Sequence, residues 1–285
     1  MGSHPNRGRY RHSVSHLWST GHAPASQVRE TSQVHNDRVN GRAIRVLLIF
    51  LNTGGGHRST AHAVAAAMRD CYGGRVSVDL ADVTRGYFPW PLNQLGTIYN
   101  RLVRLGGWPW ALTYYLTDGR RRISFLKHAW WLLTGTSILT LIDDHPSDVI
   151  VCCHPLLKAP CIQALAKRTE DTRLITLVTD LASGHASWFV PGDDRCLVAT
   201  EEVWSRARAC GLSTESIEVT GLPVHPRFVK ATHQDPAAAR ERLGLGTDRP
   251  VVLLLSGADG MGPLPHLVET LVDSNLRAQV AVITG

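Results

Sequence analysis

The run Ile44-Arg45-Val46-Leu47-Leu48-Ile49-Phe50-Leu51 breaks at Asn52-Thr53-Gly54-Gly55-Gly56, and the alanine-rich HRSTAHAVAAAM follows over 57–68. A near-continuous apolar run has no solvent face, so it fits a strand covered on both sides in a parallel sheet. The glycines permit a sharp turn and the alanines favour a helix. A second strand-like stretch over 75–80 closes a βαβ unit of about 30 residues. Similar runs recur at 148–153, 173–179, 194–199 and 216–220. The alternation predicts a doubly wound α/β lobe over 44–222. Gly221-Leu222-Pro223-Val224-His225-Pro226 then punctuates the chain and opens a linker over 223–249. A second α/β segment occupies 250–285: Pro250-Val251-Val252-Leu253-Leu254-Leu255, a glycine-rich turn over 256–263, a helix over 264–275 and a strand over 279–283. Since that is only the first βαβ of a lobe, the expectation is a truncated second lobe, poorly stabilised on its own.

Composition narrows the class. The chain of 285 residues, 44% hydrophobic, can fill a core. No apolar stretch reaches the roughly 20 residues of a spanning helix, and MGSHPNRGRYRHS lacks a signal peptide's apolar centre. These observations favour a soluble or surface-bound cytoplasmic protein. Residues 1–43 read as a disordered tail, and His4, His12, His16, His22 and His35 are too scattered for a metal tract. Six cysteines without a CxxC pair read as buried thiols, with no metal site. A balance of 30 Lys+Arg against 24 Asp+Glu, net +6, points to an anionic partner.

Between 84 and 146 the alternation fails and short helical segments mix Trp, Tyr, Leu and Arg. From 87 to 131 the bases include Arg101, Arg104, Arg120, Arg121, Arg122 and Lys127, with Asp118 the sole acid. Aromatics and leucines opposite arginines suit the headgroup boundary of an anionic membrane, and also describe a helical insertion packed on the sheet. No nucleic-acid motif is present, and no nucleic-acid partner is expected.

Three strand ends carry histidine. Gly54, Gly55 and Gly56 allow close backbone approach at a helix start, with His57 at the mouth as a candidate base. The pattern Gly54-x-Gly56-x-x-Ser59 also imitates a dinucleotide fingerprint without its third glycine. His154 follows the strand at 148–153, either facing the same crevice or capping the next helix through His154-Pro155. The third end, Val178-Thr179-Asp180-Leu181-Ala182-Ser183-Gly184-His185-Ala186-Ser187-Trp188-Phe189, puts a carboxylate and an imidazole on one loop.

Together TGGGHRSTA, VIVCCHPLL, VTDLASGHASWF, ATEEVWSRARACGL, GLPVHPRF and LLLSGADGMGP resemble, in order and spacing, the monogalactosyldiacylglycerol synthase and diacylglycerol glucosyltransferase family. That family has two facing Rossmann-like lobes, the GT-B fold, and is similar to the N-acetylglucosaminyltransferase that makes the lipid intermediate of peptidoglycan. The resemblance covers about residues 44 to 285. It implies transfer of galactose or glucose from a UDP-sugar to diacylglycerol, with no cofactor and no metal. His57, His185 and Asp180 become catalytic candidates. Gly54, Gly55, Gly56, His154, Trp188, Trp108 and Trp110 are the acceptor and lipid candidates, and Gly257, Gly260, Met261 and Gly262 the donor-diphosphate candidates. Ala186 and Ser187 replace the usual Pro and Thr of that loop. The basic and aromatic insertion is implied to engage the cytoplasmic side of a membrane peripherally. A lipid-binding lobe without catalysis, a UDP-N-acetylglucosamine transferase and a dehydrogenase are the rival readings.

Overall fold

The computed structural model describes residues 42–105, 107–257, 262–274 and 276–284. Of the expected tail, residues 1–41 lie outside that description. Arg42, which fell within that expected tail, donates its guanidinium to both oxygens of Asp148 at 2.8 and 2.6 Å. This pairing holds the Asp148 carboxyl down at about 2.

Strands β1 (Ile44–Phe50), β2 (Val76–Asp82), β3 (Val149–Cys152), β4 (Arg173–Leu177), β5 (Arg195–Val198) and β6 (Ile217–Val219) form one parallel sheet in the order β2-β1-β3-β4-β5-β6. Both faces of β1 are covered. Leu47, Ile49 and Leu51 pack with Ile138 and Leu141 of one layer and with Leu157 and Cys161. Val46, Leu48 and Phe50 meet Ala61 and Ala65 of α1 (Gly56–Tyr72), whose small side chains admit the helix close to the sheet. The strand therefore reads as continuously apolar because it has two buried faces.

The chain reverses direction across the sheet at β1, which pairs with β2 on one side and β3 on the other. In open α/β sheets such a reversal opens a crevice beyond the strand carboxyl ends.

The insertion forms α2 (Leu95–Arg104), α3 (Trp108–Thr117) and α4 (Arg120–Asp144). Short segments were expected throughout, but α4 runs unbroken for 25 residues. Its Gly135 lies within the helix and leaves room for the Trp131 ring, which a β-carbon there would meet at 2.7 Å. The carboxyl half of α4 is buried on the sheet through Thr134, Ile138, Leu141 and Ile142, while its amino half is exposed. The insertion is thus packed at one end and open at the other.

After β3 comes α5 (Pro155–Leu165), and after β5 comes α6 (Glu201–Ala209), capped by the Thr200 hydroxyl. The linker contains two short helices, α7 (Pro226–Ala231) and α8 (Pro236–Arg242). Then β7 (Val251–Leu255), α9 (Leu264–Asp273) and β8 (Gln279–Ile283) form a two-stranded parallel βαβ unit. Leu253, Leu255, Val282 and Ile283 of this unit are solvent-exposed.

Candidate active-site crevice

A crevice of about 820 Å³ opens beyond β1 and β4, lined among others by Gly54, Gly56, His57, Tyr99, Thr179, Asp180 and His225. Gly54 adopts φ +70°, a conformation that only glycine takes without strain, and this turns the chain straight from β1 into α1. Gly55 is the helix N-cap, so His57 lies in the first turn with its imidazole over the sheet edge.

The His57 ring has a defined box. Thr179 Oγ1 is 3.0 Å from its Nδ1. The His154 ring packs 4.3 Å away, centroid to centroid, and the Trp188 ring 5.9 Å away. Burial pushes the His57 pKa down to about 4, against an opposing interaction with the Cys153 backbone. The imidazole is therefore neutral near pH 7.

His154 does not reach the crevice. It is buried behind His57, its Nδ1 accepts the Leu156 N–H at 3.2 Å, and its Nε2 lies 2.8 Å from Thr53 Oγ1. It caps α5, with Pro155 at the first helical position. Trp188 is likewise displaced from the role of acceptor contact. It is 0% exposed, and its indole N–H donates to Asp180 Oδ2 at 2.8 Å, so it supports His57 and Asp180 from within. Asp180 faces the crevice, and desolvation raises its pKa against the indole bond and the His185 backbone.

His185 is not among the crevice-lining residues. Its Nδ1 is 2.7 Å from Ser187 Oγ, its Nε2 3.1 Å from Thr117 Oγ1, and its ring meets Tyr114 edge-on at 4.8 Å. The structure thus places His57 and Asp180 on one crevice, with His154 and Trp188 packed beside His57 and His185 outside its lining. Trp108 and Trp110 lie on α3, 67% and 40% exposed. Gly257 and Gly262 flank the β7–α9 turn, whereas Gly260 and Met261 lie outside the described residues. Among the described residues, no three His, Cys, Asp or Glu side chains gather as a metal would require.

Thr179, bonded to His57, and Thr53, bonded to His154 behind it, were not among the expected site residues. Their placement directly after β1 and β4 was the available signal. Tyr99 and His225 carried none, because they reach the crevice from the insertion and from a segment read as a linker.

In a parallel doubly wound sheet the crevice beyond the strand carboxyl ends, at the topological reversal, is where such folds bind ligands. Comparison with known proteins narrows this further. The chain belongs to the monogalactosyldiacylglycerol (MGDG) synthase family, whose profile matches residues 57–224. It is 35% identical over 257 residues to monogalactosyldiacylglycerol synthase 1, chloroplastic, of Arabidopsis thaliana, covering 86% of this chain and 47% of that protein. It is 35% identical over 250 residues to the monogalactosyldiacylglycerol synthase, chloroplastic, of Spinacia oleracea, covering 85% and 48%. The chain spans about half the length of these curated relatives. Among solved structures, Anabaena HepE in complex with UDP-glucose aligns with TM-score 0.46 and 13% identity over 85% of this chain and 70% of that one.

Proposed function

We propose that the chain is a glycosyltransferase that moves galactose or glucose from a UDP-sugar to the hydroxyl of diacylglycerol, with its first lobe on the acceptor side, working peripherally on the cytoplasmic side of a membrane. The observation that carries this reading, together with family membership, is the neutral His57 imidazole opposite Asp180 at one crevice. In the reaction the acceptor oxygen bonds to the anomeric carbon as the bond from that carbon to the UDP phosphate breaks. The acceptor proton passes to His57, which Thr179 and the packed His154 and Trp188 rings hold in orientation. Asp180, on the same crevice, accepts the indole N–H of the Trp188 ring that packs beside His57. The glycine-rich turn between β7 and α9, with Gly257 and Gly262 at its described ends, takes the donor diphosphate.

Lipid contact falls to α3 and the amino half of α4. Trp108, Leu112, Tyr115, Leu116, Phe125 and Leu132 are exposed there, with Arg121 and Lys127 nearby, and among the described residues no helix is long and apolar enough to cross a membrane. Such a face lies in a headgroup boundary.

The test supplies radiolabelled UDP-galactose, UDP-glucose or UDP-N-acetylglucosamine to the chain on vesicles of diacylglycerol and anionic phospholipid. Labelled glycolipid from either hexose is expected, and none from any donor would overturn the reading. In vesicle sedimentation, Trp108→Ala with Phe125→Ser should weaken binding on the order of tenfold.

A further inference from the structure

The loop between Asp180 and Trp188 is gripped from outside by the insertion. Asp118, just beyond α3, accepts the Ala186 N–H on Oδ1 at 2.9 Å and receives the Arg206 guanidinium on both oxygens at 2.8 and 2.7 Å. Tyr114 donates its hydroxyl to the Ser183 carbonyl at 2.8 Å, and Arg206 Nε donates to the Gly184 carbonyl at 3.3 Å. Inside the loop, Gly184 packs so closely on the Phe189 ring that a β-carbon there would stand 2.7 Å from it. Its two ends carry Asp180 and the indole that bonds it and packs on His57.

We infer that Asp118, with Tyr114 and Arg206, is a positioning residue that sets the 183–187 loop and thereby holds Asp180 and Trp188 in register with His57. This rests on the transferase reading only for its kinetic consequence. The insertion then has two duties, since the helix exposing Trp108 and Tyr115 outward also bonds the crevice loop inward. Arg206 reaches both Asp118 oxygens through Nη2 while its Nε bonds the Gly184 carbonyl, so one guanidinium ties the carboxylate to the loop through charge-assisted bonds, the strong kind. Asp118 does not line the crevice, so its effect on transfer passes through the loop.

The full chain carrying Asp118→Ala, Asp118→Asn or Tyr114→Phe is compared with wild type by amide hydrogen exchange and by NMR titration of labelled histidines. Asp118→Ala loses both the ion pair and the amide acceptor. Amides 183–188 should then exchange at least tenfold faster while β1 and β3 amides keep their protection, and the His57 midpoint should rise by a pH unit or more as water enters its box. Asp118→Asn keeps a neutral acceptor and should fall between wild type and Asp118→Ala. If Asp118→Ala does not fold, the asparagine and Tyr114→Phe chains still give the local readout. Unchanged loop exchange and an unchanged His57 midpoint in the folded variants would overturn the inference. In transfer assays kcat should fall at least tenfold with KM within twofold, and an equal loss in a chain whose loop exchange is unchanged would also overturn it. If wild type transfers no hexose, the exchange and titration results still decide the positioning claim, so the two failures are distinguishable.

Discussion

His57 and His154 stack at 4.3 Å with their rings tilted by 60°, and only the first faces the crevice. The pair divides labour by position. His154 spends both nitrogens on Leu156 and Thr53, whereas His57 keeps an edge toward the ligand space. Burial lowers both pKa values, with the neighbouring His57 adding to the effect on His154.

This pairing sets a pH dependence of stability. The folded His57 titrates at about 4 against an ordinary 6.5, so as pH falls the unfolded chain takes up the proton first. Stability is full above pH 6.5, declines between 6.5 and 4 with a slope of up to about 1.4 kcal/mol per pH unit, and levels for this group below 4. His154 shifts the same way and steepens the fall. Urea midpoints from pH 7 to pH 4 should show this, and His57→Gln should flatten the slope. Parallel wild-type and variant curves would refute a buried neutral imidazole.

The two histidines should separate in mutagenesis. His57→Ala is expected to lower kcat by about 10²- to 10⁴-fold with a native-like melting curve. His154→Ala should lose about 1–2 kcal/mol from the α5 cap, part of it recovered by His154→Asn, which can still accept the Leu156 amide. Thermal melts beside initial rates check both. A His57→Ala chain at full rate would remove the base.

Glycine tolerance should follow space rather than motif. A β-carbon on Gly96 of α2 would stand 2.5 Å from the Asn52 carbonyl oxygen, directly beside the crevice turn. Gly96→Ala should cost about 1–3 kcal/mol. Gly56 meets nothing within 4 Å, so Gly56→Ala should be neutral or stabilising by up to about 1 kcal/mol. Denaturant midpoints rank the two, and equal values would contradict this packing of α2 on β1.

A buried ion pair lies under the sheet. Lys158 Nζ donates to Asp193 Oδ2 at 2.9 Å, with the side chains 0% and 1% exposed. Lys158→Met should cost about 3–5 kcal/mol by leaving the carboxylate uncompensated, and Lys158→Met with Asp193→Leu should recover most of it. Chemical denaturation of the single and double variants measures the coupling, and additive losses would show that the charges act independently.

The strands and the first helix were legible locally, because a strand buried on two faces and an alanine-rich helix advertise their environment. The runs at 44–51, 148–153 and 173–179 became β1, β3 and β4, and the glycine turn placed His57 at a strand end. Resemblance in the motifs that follow also carried the family. Tertiary structure decided which strand-end residue faces ligand and which faces core. Thr53 meets His154 across 101 residues, Thr179 meets His57 across 122, and Asp118 meets Arg206 across 88. No local period encodes such partners, since they arise where separate loops converge over one sheet edge. For the same reason Trp188, an acceptor candidate by its place in the loop, is fully buried, and the long α4 replaces the short segments expected there.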